Sequence, residues 1–329
     1  MKQQTLRNCW ENGKGAINAW CSIPSMVTAE MTSMNDFDSI TIDMQHGLVD
    51  YQTALSMLQV ISGSGKTPMV RVPWNEPGII MKALDAGALG IICPMINTPE
   101  DAQNFVGATR YAPLGYRSSG PTRAMMVHGS QYHDEADEKI ISFAMIETVE
   151  ALENVDKIAA IDGLTGIYIG PSDLSISMGY KPGLDRQEPE MIEAIKKIEN
   201  ACKKNNIKIG IHCLSPSYLK DKLSNGYNLA TLASDIRIYA EGLGNKLKEA
   251  RSYFNKRFKM KAVVVTEEGV SVQNVETPKP KENEVLVKVF ACGLNRADLV
   301  VADGGAHGAS GGPGTIVGME FSGEVIELG

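Results

Sequence analysis

The sequence ITIDMQHG at residues 40–47 places a carboxylate, an imidazole and a glycine directly after a short apolar segment. Residues 37–42 have the pattern of a half-buried β-strand. In a parallel α/β barrel, catalytic groups lie where strands end and the following loops begin. Asp43 lies three residues before His46, so its carboxylate can orient a ring nitrogen and support its basicity. In isolation, a helix-capping Asp and a loop His explain the pair better than a catalytic pair does. The chemistry at the other strand ends favours the catalytic interpretation.

Outward from this segment, eight strand-like segments alternate with helix-like segments over roughly 240 residues, which is the length and rhythm of a (β/α)8 TIM barrel, an α/β fold. The predicted strands are residues 16–21, 37–43, 67–72, 88–93, 140–147, 164–170, 207–212 and 227–232. A doubly wound sheet would need a glycine-rich turn after the first strand, and residues 21–24 (CSIP) lack one. Residues 112–121, rich in Gly, Pro and Ser, predict a loop and a candidate lid.

Acidic residues follow two consecutive predicted strands. Glu147 closes the fifth strand and Asp173 follows the sixth. Neighbouring strands lie about 5 Å apart, so two such carboxylates repel one another unless a cation lies between them. Mg²⁺ and Mn²⁺ are commonly held by two oxygen ligands, with positions left for water and substrate. Each residue alone is better explained as a helix cap, but the pair occurs beside Arg71 and His46. Arg71, which closes the third strand, suits a carboxylate or a developing enolate oxygen.

A Schiff-base aldolase needs a desolvated lysine inside the barrel. Among the predicted strands only Lys208 is available, at the entry of strand seven and so at the opposite end from the site. Any aldol chemistry is therefore expected to depend on a metal.

Composition excludes several classes of protein. The chain has 329 residues, 43% hydrophobic and 22% charged, which is ordinary for a globular protein with a full core. A net charge of -7 gives no basic surface for nucleic acid or an anionic membrane. No apolar run marks a secretory leader or a membrane span, and the six cysteines form no Cys-x-x-Cys pair. We expect reduced thiols and a cytoplasmic location.

Six motifs occur in an order that resembles the HpcH/HpaI aldolase family. They are IDMQHG (42–47), VRVPWN (70–75), PM (94–95), PLGYR (113–117), IET (146–148) and IGPSDLS (169–175). The resemblance covers residues 5–255. The family comprises class II aldolases that cleave 4-hydroxy-2-oxo acids, including 2-keto-3-deoxy sugar acids, to pyruvate and an aldehyde. The resemblance implies a divalent metal (Mg²⁺ or Mn²⁺, or else Co²⁺) on Glu147 and Asp173 that chelates the pyruvate unit. Arg71 would stabilise the enolate oxygen, and the main-chain N–H groups of Ser172 and Asp173 would bind the pyruvate carboxylate.

The resemblance also implies that His46, oriented by Asp43, is the base that removes the proton of the C4 hydroxyl. The chain has Gln45 where many members have glutamate, and Met145 where they have glutamine, so the identity of the oxo acid and aldehyde stays open. Family members typically form hexamers that exchange the last barrel helix, here residues 235–254. Alternatives are a citrate-lyase-like enzyme acting on CoA esters, for which the acidic chain shows no basic cleft, and a bifunctional protein with an oxidoreductase fragment.

The sequence changes character after residue 255. We predict an aldolase barrel at residues 1–255, a basic linker at 256–259 and a further segment at 260–329. That segment resembles the opening GroES-like part of a medium-chain dehydrogenase/reductase, in its zinc-independent quinone oxidoreductase branch, through ACGLNRAD (291–298) and GMEFSG (318–323). Asn295 and Met319 stand where zinc-dependent members have ligands, so no zinc is expected. Since no dinucleotide-binding motif is present, we expect no NAD(P) and no activity from this incomplete segment.

Overall fold

The structure is a computed structural model that describes residues 5–257, 259–307 and 310–329. The chain divides into two compact units, Met1–Ala240 and Glu241–Gly329. One helix, Asp235–Arg257, contains the division between them. The domain limits predicted above, 1–255, 256–259 and 260–329, stay a prediction.

The first unit is a closed parallel barrel. Within the described residues 5–240 its strands are β1 Ala16–Cys21, β2 Ser39–Asp43, β3 Thr67–Arg71, β4 Gly90–Cys93, β5 Ile141–Ile146, β6 Gly166–Ile169, β7 Lys208–Cys213 and β8 Leu229–Leu232. They pair in chain order, and β8 closes the barrel by pairing with β1. The predicted (β/α)8 fold is confirmed.

Helices precede, connect and follow the strands. They are α1 Thr5–Glu11, α2 Met26–Ser33, α3 Tyr51–Ser64, α4 Pro77–Asp85, α5 Pro99–Thr109, α6 Thr122–His128, α7 Tyr132–Lys139, α8 Val149–Glu153, α9 Val155–Ala159, α10 Pro171–Ser177, α11 Pro189–Lys204, α12 Pro216–Ser224 and α13 Asp235–Arg257. Capping side chains and prolines determine where several of these helices begin. Thr98 and Asp101 form a capping box ahead of α5, with Pro99 in the first turn. None of these helices, within the described part of the chain, is long and apolar enough to cross a membrane.

Two layers of core hold the barrel. The larger layer fills the space between strands and helices, and the smaller fills the barrel interior with side chains such as Trp20, Phe143 and Tyr168. Gly210 on β7 makes room for Tyr168, because a Cβ at Gly210 would lie 2.9 Å from the Tyr168 ring. The large ring therefore fits inside the barrel and directs its hydroxyl toward the ends of the neighbouring strands.

The segment at residues 112–121 packs on helix α5 and the approach to β4. The Tyr116 hydroxyl donates to the Asn104 carbonyl at 2.6 Å, and Arg117 Nη2 donates to Asp85 at 2.7 Å. Asp85 ends α4 and so lies at the N-terminal side of β4. The prediction of a lid over the site is wrong for this chain, because the segment follows a helix rather than a strand.

The second unit is a small β segment, as predicted. It contains β9 Lys259–Thr266, β10 Gly269–Glu276, β11 Val285–Gly293, α14 Arg296–Ala302, β12 Ala306–His307, β13 Ser310–Gly311 and β14 Glu320–Leu328. Among its described residues the strands form three two-stranded sheets, and all nine residues of β14 are exposed. Asn295 caps α14 in a capping box with Asp298. This unit therefore lacks the closed core of the barrel.

Candidate functional site

The C-terminal ends of the barrel strands carry the predicted site residues. Asp43 and Arg71 are the last residues of β2 and β3, and the register pairs them directly. Glu147 follows β5 by one residue, and Asp173 lies in the first turn of α10, just after β6. Because the strands are parallel, all four lie at one end of the barrel. His46 lies at the same end, in the loop after β2.

Asp43 and Arg71 form a buried ion pair with two hydrogen bonds. Arg71 Nε donates to Asp43 Oδ1 at 2.8 Å, and Nη2 donates to Oδ2 at 2.7 Å. Trp20 Nε1 adds a third hydrogen bond to Oδ2 at 3.2 Å. Burial acts to raise the pKa of Asp43, but the hydrogen bonds and charge of Arg71 outweigh it and hold that pKa below its ordinary value. Arg71 Nη1 has no hydrogen bond among the described residues, so it is the donor left for a ligand.

The expected contact between Asp43 and the ring of His46 is not formed in the described structure. Asp43 Oδ1 instead accepts hydrogen bonds from the main-chain N–H groups of Gln45 at 3.0 Å and His46 at 3.2 Å. The tight turn causes this arrangement, since a Cβ at Gly47 would lie only 2.1 Å from the Asp43 carbonyl oxygen. The carboxylate is therefore occupied by Arg71 and by the loop backbone. The imidazole of His46 is exposed at the site.

Glu147 is a buried carboxyl group, with 1% of its surface exposed. Burial raises its pKa to about 7, and the nearby charge of Asp173 adds to the rise. The main-chain N–H of Met95 donates to Oε1 at 2.8 Å and acts in the opposite direction. Gly170 sets this approach, because a Cβ there would lie 2.5 Å from Glu147 Oε2. Asp173 is partly buried and has no hydrogen-bond partner for its carboxylate in the described chain.

Met95 belongs to one of the motifs that carry the family resemblance, but the sequence did not reveal its contact with Glu147. Its backbone is in the left-handed region at φ 55°, a conformation that costs a residue with a side chain about 1–2 kcal/mol. That conformation accompanies the N–H bond to Glu147. A positive φ at a non-glycine residue leaves no clear mark in the sequence, so this contact was not predictable.

The acidic pair fits a hard divalent cation. Within the described residues no group of three or more His, Cys, Asp or Glu side chains could hold a metal, so Glu147 and Asp173 would supply only part of a ligand set. Carboxylate oxygens suit Mg²⁺ and Mn²⁺, which keep positions for water and substrate. A cation would also relieve the repulsion that raises the pKa of Glu147.

Helix α10 begins beside the acidic pair with free main-chain donors. Pro171 occupies its first position, Gly170 supplies no side-chain cap, and Ser172 and Asp173 follow in the first turn. N–H groups in a first turn have no acceptor within the helix. Their binding of a substrate carboxylate, which the family resemblance implies, stays a prediction.

His212 was overlooked in the sequence, although it closes a predicted strand as Arg71 does. It is the penultimate residue of β7 and is partly exposed. Its ring contacts Trp20, with centroids 4.8 Å apart. Loss of hydration, followed by the charge of Arg71, lowers the pKa of His212 to about 3. The imidazole is therefore neutral near pH 7.

A closed parallel barrel with acidic, cationic and imidazole groups at its strand ends defines the class as an α/β-barrel enzyme. Comparisons with known proteins identify the family. The HpcH/HpaI aldolase/citrate lyase family matches residues 18–241, and the chain belongs to that family. The alcohol dehydrogenase GroES-like domain matches residues 281–329, which agrees with the resemblance of the C-terminal segment.

Relatives of the barrel are named aldolases, which are carbon–carbon lyases. The chain is 38% identical over 247 residues to the hydroxypyruvate/pyruvate aldolase of Rhizorhabdus wittichii, covering 75% of this chain and 98% of that protein. It is 31% identical to the 5-keto-4-deoxy-D-glucarate aldolase of Salmonella arizonae, over 69% of this chain and 88% of that protein. The crystal structure of a family member from Burkholderia cenocepacia superimposes with a TM-score of 0.69 at 27% identity, covering 76% of this chain and 100% of that one. The protein is accordingly a lyase of the aldolase type.

Proposed function

We propose that this chain is a metal-dependent class II aldolase that cleaves a 4-hydroxy-2-oxo acid to pyruvate and an aldehyde. The observation that carries the proposal is the Glu147 carboxyl group, which is buried next to Asp173 with a pKa raised to about 7. Holding such a group in the core costs stability unless it binds something. The carboxylate of Asp173, which has no partner within the described chain, supports the same conclusion.

A divalent cation such as Mg²⁺, Mn²⁺ or Co²⁺, held by Glu147 and Asp173, would act as a Lewis acid on the 2-oxo group of the substrate. The free Nη1 of Arg71 would donate to the oxygen on which negative charge develops. The N–H groups of Ser172 and Asp173 would bind the substrate carboxylate. Asp43 would act through Arg71, because it fixes two of the three guanidinium nitrogens.

His46 would move the proton. In cleavage it takes the proton from the C4 hydroxyl as the C3–C4 bond breaks, and the carbonyl of the aldehyde forms. The electron pair of that bond passes to the pyruvate unit, which is later protonated at C3. Exposure of the imidazole at the mouth of the barrel supports this role.

The test is a coupled assay for pyruvate release from a panel of 4-hydroxy-2-oxo acids, with Mg²⁺, with Mn²⁺ and with EDTA. We expect EDTA and Glu147→Gln each to abolish turnover. The exposed Glu193 on α11 provides the matched control, Glu193→Gln, which we expect to be fully active. Turnover that survives EDTA would refute the metal assignment. Cleavage of a CoA thioester in place of the oxo acids would favour the citrate-lyase-like alternative.

The lyase is assigned to the barrel, with residues 260–329 taking no part in the reaction. A titration with NADPH tests the bifunctional alternative, and we expect no binding. We also infer a homo-oligomer, hexameric by family resemblance. Helix α13 supports it with an apolar stripe exposed at Ile236, Tyr239, Leu243 and Leu247. Light scattering of the wild type and of Leu243→Glu would test this assembly, with a smaller particle expected for the variant.

A further inference from the structure

His212 lies at the mouth of the barrel with one ring nitrogen already committed. Its Nδ1 lies 3.3 Å from the Tyr168 hydroxyl, and that hydroxyl donates to Thr231 Oγ1 at 2.6 Å. Because the phenol proton goes to Thr231, the Tyr168 oxygen must accept from His212. Nδ1 therefore carries the hydrogen, and Nε2 carries a lone pair.

The lone pair on Nε2 accepts no hydrogen bond from the described residues. This nitrogen is also absent from the fully buried polar atoms that lack a partner, so Nε2 retains access to solvent. The ring is also partly exposed. A buried, structural histidine would satisfy both nitrogens. Since the low pKa of His212 keeps the ring neutral, Nε2 stays an acceptor and is a poor base.

Trp20 places this acceptor beside the proposed oxo-acid site. The Trp20 ring centroid lies 4.7 Å from Arg71 Cζ and 4.8 Å from the His212 ring centroid. One indole therefore carries both the guanidinium assigned to the 2-oxo oxygen and the free imidazole nitrogen. The charge of Arg71 also acts on His212, which shows that the two groups face the same region of the site.

We propose that His212 is a specificity-determining residue, whose Nε2 accepts a hydrogen bond from a hydroxyl on C3 of the bound 2-oxo acid. The inference rests on the proposed function, and it extends that function to 4-hydroxy-2-oxo acids that also carry a hydroxyl at C3, whose cleavage releases hydroxypyruvate in place of pyruvate. Pyruvate cannot fill this position and leaves Nε2 unpaired or hydrated.

The experiment compares hydroxypyruvate with pyruvate as the donor in aldol addition to glycolaldehyde, with Mg²⁺ present. In His212→Phe the aromatic ring is retained and both nitrogens are removed. We expect kcat/KM for hydroxypyruvate to fall about tenfold, as for the loss of one hydrogen bond, while the value for pyruvate changes less than about threefold. His212→Gln, which keeps an amide acceptor, should restore most of the preference.

Isothermal titration with each oxo acid separates this inference from the proposed function. If the wild type turns over neither donor but binds hydroxypyruvate more tightly, and His212→Phe loses that difference, the inference stands and the aldolase proposal fails. If the variant changes both donors equally in kcat/KM and in binding, His212 is only structural and the inference is refuted. An unchanged preference in His212→Phe would refute it as well.

Discussion

Removing the charge of Glu147 should stabilise the metal-free barrel at alkaline pH. The pKa of this group rises from 4.5 to about 7 on folding, with burial as the main cause. A raised pKa means that the folded chain binds the proton more tightly than the unfolded chain does. The contribution of Glu147 to stability is therefore fully present below about pH 4.5 and is lost as the pH rises through 7.

The size of the effect follows from that difference. A tenfold change in proton affinity corresponds to about 1.4 kcal/mol, so the ionised carboxylate costs the fold about 3 kcal/mol above pH 7. Glu147→Gln removes the charge and keeps an acceptor for the Met95 N–H. We expect the variant to match the wild type at pH 4.5 and to exceed its unfolding free energy by about 3 kcal/mol at pH 8.

Urea unfolding in EDTA, followed by tryptophan fluorescence at pH values from 4.5 to 8.5, measures this difference. The three tryptophans of the protein, Trp10, Trp20 and Trp74, all lie in the first unit, so the fluorescence signal reports unfolding of the barrel alone. Mg²⁺ should raise the stability of the wild type at pH 8 and leave Glu147→Gln unchanged, because only the wild type binds it tightly. Parallel curves for the two proteins across the whole range would show that Glu147 carries no such strain, and the reasoning would be wrong.

Three further changes probe the other parts of the site. Asp43→Asn leaves the Arg71 charge unpaired in the barrel. We expect the unfolding free energy, measured by urea titration, to fall by about 3–5 kcal/mol. A loss below about 1 kcal/mol would contradict the buried ion pair. Gly170→Ala places a Cβ against Glu147 Oε2. The Kd for Mn²⁺, measured by calorimetry, should therefore rise at least about tenfold, while the circular dichroism spectrum stays unchanged. An unchanged Kd would argue against a metal at this position. His46→Asn should lower turnover by about 10²–10⁴-fold and change stability by less than about 0.5 kcal/mol, since the imidazole is exposed; full activity would exclude His46 as the base.

The barrel was predictable because its signals are local. Strand β1 was predicted with its observed limits at residues 16–21, and Thr98 with Pro99 marked the start of α5. Helices α1, α6 and α7 escaped prediction because tertiary contacts form them. Leu6 of α1, for example, is fully buried, and its N–H donates to Thr67 Oγ1, 61 residues away.

The sequence predicted the site residues only through their positions at the ends of predicted strands. Position along a strand told which residues gather at one end of the barrel, and so it selected Asp43, Arg71, Glu147 and Asp173. It could not tell which of them touch. The contact that mattered most, from Asp43 to Arg71, joins residues 28 positions apart through the register of β2 and β3, whereas the nearer His46 received only a main-chain bond.

This pairing changes how the site is expected to work. A carboxylate on the ring of His46 would have made that histidine a stronger base. Instead, Asp43 takes Nε and Nη2 of Arg71 and leaves Nη1 as the free donor, so the arginine presents its charge in one fixed direction. Selectivity for the position of developing charge then resides in a rigid Asp43–Arg71–Trp20 unit, and His46 is free to turn as the proton moves. Lysine keeps the positive charge but cannot make the two paired contacts with Asp43. Arg71→Lys should therefore lower the turnover rate strongly, although the charge of the site is unchanged.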